Sequence, residues 1–507
     1  MSADANLYIL LRSRFPAAAA ATCLELADGS RLSYADIDAR SGRMAGLLAA
    51  LGVVPGDRVM VQVDKSPDAV VLYLACLRAG AVFLPLNTAY TAREVAYFLD
   101  DAEPRLVVCS PRAVAALAPL AEAAGSTLLT LDDAAGGTLM ERFAAAAGSD
   151  LVVPRAGDDL AAILYTSGTT GRSKGAMLSH ANLASNAQVL HDSWGWRAGD
   201  VLIHALPIFH VHGLFVALHT ALLNGSPLLF LNKFDADAIV ERLPRATVLM
   251  GVPTFYVRLL DHPGLDRERV ANMRLFVSGS APLLEETFRA FEERTGQRIL
   301  ERYGMTEAGM ITSNPLDGER IAGTVGYFLP GISGRIADAD GNELPRGEPG
   351  VLEIKGPNVF RGYWRMPEKT AEEFRPDGHF ITGDIAVMAA DGRIAIVGRA
   401  KDLIISGGYN IYPKEIELLI DAIPGVRESA VIGIPHPDFG EAVAAVVVGN
   451  GSEALDEAAV QQALADELAR FKQPRKVFFV DELPRNTMGK VQKNQLRQTY
   501  STAFSGA

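Results

Sequence analysis

A loop rich in glycine and hydroxyl side chains follows an apolar run in the first third of the chain. The sequence LYTSGTTGRSKGAM spans residues 164–177, and the run AAILY that leads into it predicts a buried strand. Glycine lets the backbone approach a ligand closely, and successive backbone N–H groups can bind an anion. Lys174 follows a serine and precedes a glycine, so the loop does not fit the Walker A pattern. The residues predict a different phosphate-binding loop, and the alternative is a solvated Gly/Ser linker.

Further short motifs follow this loop along the chain, and each is weak alone. They are VSGSAPL (277–283), ERYGMTE (301–307), FITGD (380–384), GRAKDLIISGGYNIYPKEIE (398–417) and PRNTMGK (484–490). Taken in order, the series resembles the adenylate-forming superfamily, which contains acyl- and aryl-CoA synthetases, luciferases and nonribosomal-peptide adenylation domains. The resemblance covers nearly the whole chain. It implies that a carboxylate attacks the α-phosphorus of ATP to form an acyl-adenylate, with Mg²⁺ neutralising phosphate charge, and that the thiol of coenzyme A then takes the acyl group.

The fold expected from the pattern is α/β. Short apolar runs alternate with helix-like segments from about residue 30 to 330, which predicts βα units with largely parallel sheets. Short strands and turns over 350–400 predict a β-rich subdomain. We expect a large N-terminal adenylation domain over 1–398, a hinge at 399–402, and a smaller α+β domain over 403–507. The resemblance implies that this last domain is a mobile lid.

Composition excludes several classes of protein. The 507 residues carry a net charge of −12, which argues against a general nucleic-acid or membrane-surface binder. Three scattered cysteines are too few for a disulfide framework, and the N-terminus shows no secretory signal, so we expect a cytoplasmic protein. The apolar stretch 201–223 contains four histidines and a proline, which favours a buried core over a membrane span.

The resemblance implies roles for individual residues of ERYGMTE. Tyr303 would stack on adenine, Thr306 would reach the α-phosphate, and Glu307 would hold Mg²⁺. The alternatives for these three residues are a core tyrosine, a helix-capping threonine and a surface glutamate. Asp384 and Arg399 would bind the ribose. The residues implied at the nucleotide are Thr166, Ser167, Gly168, Thr169, Thr170, Gly171, Lys174, Gly279, Ser280, Ala281, Glu301, Tyr303, Gly304, Met305, Asp384 and Arg399; those implied at the metal are Thr166 and Glu307.

Three positions near the C-terminal end would serve the two half-reactions. Lys490 in PRNTMGK is expected to be the catalytic cation of adenylation, the alternative being a surface lysine. Gly407 and Gly408 would line the channel for the pantetheine arm of coenzyme A, and Lys401 would be the hinge residue. A lysine acetyltransferase and deacetylase acting on Lys490 are candidate partners, since acetylation removes the charge.

Arg302, directly before Tyr303, is the residue that predicts which acid is activated. An arginine beside the acyl pocket could bind a second carboxylate in bidentate fashion, whereas the alternative is an ion pair with Glu301 alone. His210 and Met305 are further candidates for contact with the acid, and His204 and His212 are expected to be core histidines. Over its length the chain resembles the dicarboxylate-activating branch of the superfamily, the malonyl-CoA synthetases, which implies malonate and methylmalonate as substrates.

Two rival functions stay open. One is a synthetase for short-, medium- or long-chain acids, and the other is a separate adenylation domain that charges a carrier-protein thiol. A non-enzymatic role would require a broken site, but Lys490, Glu307 and Asp384 are all present.

Overall fold

A computed structural model describes residues 4–166, 173–406, 409–436, 439–451, 455–465, 467–468, 470–486 and 489–504. The chain divides into two compact units. The first unit comprises Met1–Ser333 and Lys355–Phe380, and the second comprises Gly334–Ile354 and Ile381–Ala507. The domain boundary expected at 399–402 stays a prediction.

Two mainly parallel sheets form the framework of the first unit. Their strands are β1 (Thr22–Glu25), β2 (Arg31–Ser33), β3 (Arg58–Gln62), β4 (Val82–Pro85), β5 (Leu106–Cys109), β6 (Thr127–Thr130), β7 (Leu160–Thr166), β8 (Lys174–Ser179), β9 (Leu202–His204), β10 (Leu228–Phe230), β11 (Val248–Gly251), β12 (Leu275–Ser278), β13 (Leu300–Met305), β14 (Gly309–Ser313) and β15 (Tyr327–Phe328). One sheet has the order β15-β14-β13-β12-β11-β9-β10-β1-β2, and the other has the order β6-β5-β3-β4-β7-β8. Antiparallel pairing is found at the edges, where β2, β8, β14 and β15 lie. Central strands such as β5 and β11 are buried throughout, as expected for parallel strands covered on both faces.

Helices connect these strands. They are α1 (Leu7–Arg12), α2 (Tyr34–Ala50), α3 (Pro67–Ala79), α4 (Ala92–Ala102), α5 (Val114–Ala123), α6 (Thr138–Ala145), α7 (His180–Ser193), α8 (His219–Asn224), α9 (Ala236–Arg242), α10 (Pro253–Leu260), α11 (Glu285–Thr295) and α12 (Pro367–Glu372). Local sequence sets their ends: Ser66 caps α3 through its side chain, proline follows at the first helical position, and Gly80 ends the helix at φ +68°. The α/β prediction is confirmed.

A π-helix, His212–Leu218, runs directly into α8. Every residue from His212 to Leu223 is buried, so the prediction of a core segment is confirmed. No helix in the described part of the chain is long and apolar enough to cross a membrane. The three cysteines are free and buried.

The second unit contains two smaller sheets. Its strands are β16 (Ser333–Ala337), β17 (Gly350–Lys355), β18 (Phe380–Met388), β19 (Ile394–Arg399), β20 (Ile404–Ser406), β21 (Tyr409–Ile411), β22 (Val426–His436), β23 (Gly440–Gly449) and β24 (Lys476–Phe479), and its helices are α13 (Pro413–Asp421), α14 (Glu457–Leu464) and α15 (Lys493–Thr499). One sheet has the order β16-β17-β18-β19, which matches the expected β-rich subdomain. The other has the order β21-β20-β23-β22, and β24 pairs with β23.

Helix α14 ends at Leu464, although apolar residues continue at helical spacing at 464, 468 and 471. Val460 and Leu464 lie in α14 and are buried, but Phe471 lies beyond the helix and stacks on Tyr409 with ring centroids 4.5 Å apart. The side chain of Gln473 donates to the carbonyls of Ala465 and Leu468, at 3.1 and 2.8 Å. These bonds satisfy backbone acceptors near the C-terminal end of the helix.

Candidate active site

The ends of the phosphate loop are held together by an antiparallel strand pair. Thr166 ends β7, Lys174 begins β8, and the two residues are register partners. The hydroxyl of Tyr97 donates to the carbonyl of Ser173 at 2.8 Å. Ser167, Gly168, Thr169, Thr170 and Gly171 lie outside the described residues, so their predicted phosphate contacts stay predictions. The pairing of β7 with β8 therefore fixes both ends of the loop.

Lys174 is buried, and its ammonium group already has fixed partners. Its Nζ lies 2.7 Å from Oε1 of Glu373 and 4.1 Å from the ring centroid of Tyr363. The Tyr363 hydroxyl donates to Oε2 of Glu373 at 2.6 Å. Burial alone would raise the pKa of Glu373, but its bonds to Lys174 and Tyr363 lower it below the usual range. The only lysine of the loop is therefore held in place by residues of a distant segment.

That segment is attached to the exit strand of the loop by backbone hydrogen bonds. The N–H of Trp364 donates to the carbonyl of Gly175 at 2.8 Å, and Tyr363 pairs with Ala176. Trp364 also donates from its indole to the carbonyl of Asp101 at 3.0 Å. Tyr363 thus lies on a segment that pairs with β8, and Glu373 lies ten residues further along the chain.

Thr306 and Glu307 occupy the hairpin turn between β13 and β14. Glu307 is buried, so it is not a surface glutamate, and Thr306 is half-buried in the turn rather than at a helix N-terminus. The Tyr363 hydroxyl lies 3.1 Å from Oε1 of Glu307, and the N–H of Phe360 donates to the Glu307 carbonyl at 2.7 Å. Burial raises the pKa of Glu307 above its ordinary value.

The Glu307 carboxylate suits a magnesium ion. Mg²⁺ is usually bound in proteins by one or two carboxylates together with substrate phosphates and water. Glu307 and Glu373 both contact the Tyr363 hydroxyl, and since Glu373 is paired with Lys174, Glu307 is the carboxylate that could bind the ion. No group of three or more metal-binding side chains gathers within the described ranges. The donor set therefore fits an ion that takes its other ligands from a nucleotide and water.

Arg302 is a buried cation whose hydrogen-bonding capacity is not used by the described residues. Its exposed fraction is 2%, and neither Nε nor Nη2 has a hydrogen-bond partner in the described part of the chain. Burial lowers the pKa of Arg302 to about 9, while the charge of Glu301 favours the cation. Oε1 of Glu301 accepts the N–H of Leu283 at 3.2 Å. A buried guanidinium with unsatisfied N–H groups is costly unless an anion pairs with it.

The loop after β12 makes room for this guanidinium. A Cβ atom on Gly279 would lie 2.5 Å from Cζ of Arg302, so a side chain there would displace the guanidinium from its present position. Ser280 has φ +73°, a left-handed conformation that is rare outside glycine and is found at functional sites. Its Oγ lies 3.3 Å from Nδ1 of His212, which is buried. Nε2 of His212 has no hydrogen-bond partner among the described residues.

His212 belongs to the surroundings of Arg302. Burial lowers the pKa of His212 well below its ordinary value, and the charge of Arg302 lowers it further. Its ring therefore contacts the Ser280 hydroxyl on one nitrogen, and both its burial and the charge of Arg302 favour the neutral form. His210 is half-buried, with its ring 4.6 Å from that of Phe209. The sequence indicated His210 as the substrate histidine, and this role stays a prediction. His212 contacts Ser280 and lies in the field of Arg302.

The other predicted residues of the first unit lie on or near the same strand ends. Ala281, Tyr303, Gly304 and Met305 are half-buried, and Glu301 is buried. A Cβ on Gly304 would lie 2.2 Å from the Gly309 carbonyl, so the hairpin requires glycine there. Their predicted contacts with adenine stay predictions.

In the second unit, the predicted ribose pair is brought together. Asp384 and Arg399 are register partners on β18 and β19, and Arg399 Nε lies 3.0 Å from Oδ1 of Asp384. Asp384 is buried and Arg399 is exposed. Lys401 lies in a short 3₁₀ turn, 400–402, after β19. The role of Lys401 as a hinge stays a prediction.

Lys490 is exposed and lies in a tight loop. Its N–H donates to Oδ1 of Asn486 at 3.0 Å, and the N–H of Asn486 donates to the Lys490 carbonyl at 2.9 Å. The backbone around Lys490 is thus fixed while its side chain is accessible. Gly407 and Gly408 lie outside the described residues.

Comparison with known proteins accounts for this arrangement. The family model "AMP-binding enzyme" matches residues 12–364, and "AMP-binding enzyme C-terminal domain" matches residues 415–490. The chain belongs to the AMP-binding enzyme family. The prediction of an adenylate-forming enzyme of the acyl-CoA synthetase type is therefore confirmed.

The most similar relatives include enzymes that act on different acids. The ATP-bound crystal structure of MatB from Rhodopseudomonas palustris is 56% identical, with TM-score 0.97, covering 99% of this chain and 100% of that chain. The mitochondrial malonate–CoA ligase of Mus musculus is 37% identical over 89% of this chain and 83% of its own length. A feruloyl-CoA synthase of an Amycolatopsis species is 36% identical over 93% of this chain and 94% of its own length. Membership of the family does not by itself identify the acid.

Several residues of the site were not indicated by the sequence motifs. Tyr363 and Glu373 lie outside all of them, and Glu373 is 199 residues from Lys174, so no local spacing connects the two. His212 was taken for a core histidine. Its position close to His210 in PIFHVHG was the one available signal.

Proposed function

We propose that this chain is an ATP-dependent malonyl-CoA synthetase. It converts malonate, ATP and coenzyme A into malonyl-CoA, AMP and pyrophosphate through an enzyme-bound malonyl-adenylate, and it also accepts methylmalonate. The similarity to a malonate–CoA ligase over most of both chains supports this substrate. Mg²⁺ is the proposed metal ion, and the cytoplasm is the proposed compartment.

The observation that carries the proposal is the buried Arg302. Malonate is a dianion, and adenylation consumes only one of its carboxylates. The other carboxylate must be held at a buried position, and Arg302 is 2% exposed. Arg302 offers unpaired N–H groups in this region, and a guanidinium can bind a carboxylate in bidentate fashion. A monocarboxylic acid would leave the cation unpaired, which disfavours the rival function as a general acyl-CoA synthetase.

In the first half-reaction, the protein supplies position and charge. An oxygen of the reacting carboxylate attacks the α-phosphorus of ATP, and pyrophosphate leaves with the electrons of the broken P–O bond. Lys174 and the phosphate loop bind the β- and γ-phosphates, Thr306 contacts the α-phosphate, and Lys490 neutralises charge that develops there. Glu307 would hold a Mg²⁺ ion, which would supply positive charge to the phosphates and the leaving pyrophosphate.

In the second half-reaction, the thiolate of coenzyme A attacks the carbonyl carbon of the adenylate, and AMP leaves. Gly407 and Gly408 are the proposed walls of the pantetheine channel, where a side chain would obstruct the thiol. Asp384 and Arg399 are the proposed ribose contacts. Free coenzyme A is the proposed acceptor, and a carrier-protein thiol is the alternative.

The experiment that tests this function is the substitution Arg302→Leu. We expect kcat/KM for malonate to fall on the order of 10²- to 10⁴-fold, because a buried carboxylate loses the guanidinium that pairs with it. The value for propionate, which has a methyl group in place of the second carboxylate, should change little or rise. Arg302→Lys keeps the charge but loses the bidentate guanidinium, so its kcat/KM for malonate should lie between those of the parent enzyme and Arg302→Leu. Circular dichroism checks that each variant is folded. Equal losses for malonate and propionate would show that Arg302 is structural.

A further inference from the structure

Lys65 is a buried lysine that belongs to none of the motifs. It lies between β3 and the N-terminal cap of α3, and its exposed fraction is 7%. Its Nζ lies 2.8 Å from Nδ1 of His204, 2.7 Å from the His204 carbonyl and 2.6 Å from the Leu231 carbonyl. His204 ends β9, and Leu231 directly follows β10. Lys65 therefore links the β3–α3 segment to two strand ends of the neighbouring sheet.

The imidazole of His204 extends this network to the π-helix. Its Nε2 lies 2.9 Å from the carbonyl of Gly213, the second residue of the helix. A Cβ on Gly213 would lie 2.0 Å from the carbonyl of Pro207, so the helix start is packed tightly against the preceding chain. The residue before Gly213 is His212, which contacts Ser280 and lies in the field of Arg302.

Proton counting shows that the Lys65–His204 pair carries one positive charge. The carbonyls of His204, Leu231 and Gly213 can only accept, so they require two protons from Lys65 and one from Nε2 of His204. The contact between Lys65 Nζ and His204 Nδ1 requires one more proton, on either atom. Without it, two lone pairs would face each other at 2.8 Å. The pair is thus ammonium with neutral imidazole, or amine with imidazolium.

Both forms place one buried positive charge on the pair that contacts the start of the π-helix through the Gly213 carbonyl. None of the three acceptors of Lys65 is a carboxylate. Burial lowers the pKa of Lys65 and of His204, and Lys65 lowers that of His204 further, so the pair holds one excess proton and not two.

We propose that Lys65 is a positioning residue for dicarboxylate selection. Through His204 it fixes the start of the π-helix that carries His212, and it adds a second buried positive charge to that of Arg302. The inference rests on the proposed function, since it assumes that the acid bound at Arg302 has a second carboxylate. Lys65 does not touch the acid itself; it holds His212 and Ser280 in register with the guanidinium.

The test measures the ratio of kcat/KM for malonate to that for propionate. In Lys65→Met we expect this ratio to fall about tenfold through a higher KM for malonate, with the KM for ATP unchanged. Lys65→Gln retains N–H donors but not the charge, and its ratio should fall by a similar factor. This variant provides the test if Lys65→Met does not fold. In the Arg302→Leu background, Lys65→Met should cause no further loss of the ratio, because both act on one carboxylate.

Tyr73→Phe is the matched control. The Tyr73 hydroxyl lies 2.7 Å from Nε2 of His219, the buried histidine that starts α8 after the π-helix. The substitution removes a buried contact to a histidine of the helix that continues the π-helix. It should lower thermal stability without changing the ratio of kcat/KM for malonate to that for propionate.

The results distinguish the two proposals. A collapsed ratio in Arg302→Leu with an unchanged ratio in Lys65→Met overturns the role of Lys65 and leaves the proposed function intact. An unchanged ratio in Arg302→Leu would show that Arg302 is structural and would overturn this inference, whereas an unmodified protein that uses propionate as efficiently as malonate overturns the proposed function. A Tyr73→Phe effect as large as that of Lys65→Met would show that any buried contact of this helix shifts the ratio, and would also overturn the inference.

Discussion

Arg302 and Glu307 stand close together in the chain and both are buried, but the protein surrounds them differently. Glu307 has the Tyr363 hydroxyl at 3.1 Å and lies in the field of Lys174, so a cation can be bound there in a prepared network. Arg302 lies against the backbone of Gly279 with N–H groups that the described residues do not use. One strand and its turn thus carry a buried carboxylate, the proposed metal ligand, and a buried guanidinium, the proposed partner of the acid.

At the same scale, Glu373 pairs with Lys174, and we expect this pair to set how Lys174 meets the nucleotide. We expect Glu373→Gln to raise the KM for ATP about tenfold, because a largely buried ammonium loses the carboxylate that fixes it at 2.7 Å. The KM for malonate should stay unchanged. The measurement is ATP binding by calorimetry without acid, alongside steady-state kinetics.

Glu372→Gln is the control for that variant. Glu372 is the adjacent carboxylate, its side chain is 65% exposed, and it pairs with Lys369. Its loss should leave both KM values unchanged. If Glu373→Gln binds ATP as tightly as the parent enzyme, or if both KM values rise together, Glu373 does not position Lys174.

At the scale of elements, sequence periodicity predicted most strands and helices but not the contacts between distant segments. The run at 160–166 and the alternating units up to residue 330 formed the strands and helices expected, because local apolar patterning and caps determine them. The π-helix 212–218 has no such signal, since it depends on Gly213 packing against Pro207 and on the His204 contact. The loop motif indicated Lys174, but its partner Glu373 is brought to it only by the backbone pairing of the Tyr363 segment with β8.

The histidines show the same limit. Four histidines in the apolar stretch 201–223 predicted burial, and three of them, His204, His212 and His219, are fully enclosed. The contact of His212 with Ser280 depends on the phase of the π-helix, and sequence spacing does not give that phase. The role of His210 at the acid stays a prediction.

At the scale of the whole molecule, the two half-reactions should be separable by substitution. We expect Lys490→Ala to reduce malonyl-adenylate formation on the order of 10²- to 10⁴-fold, as for other preorganised charged groups, while thioester formation from supplied malonyl-adenylate stays nearly intact. The measurement is pyrophosphate exchange for the first step and malonyl-CoA formation for the second. Acetylation of Lys490 by a lysine acetyltransferase should have the same effect, because it also removes the charge.

The exposed position of Lys490 makes this variant informative. Its side chain supports no core packing, so a global loss of structure is not expected. Losses of equal size in both half-reactions would contradict an adenylation role for Lys490.

The most direct test of the central claim is the acid profile of the unmodified protein. Pyrophosphate release is measured with malonate, methylmalonate, succinate, propionate and butyrate, each with and without coenzyme A. The predicted result is multiple turnovers with malonate only when coenzyme A is present, and a kcat/KM for propionate and butyrate at least about 10²-fold lower, the discrimination expected when a buried charge pair is lost. Propionate or butyrate used as efficiently as malonate would contradict the account.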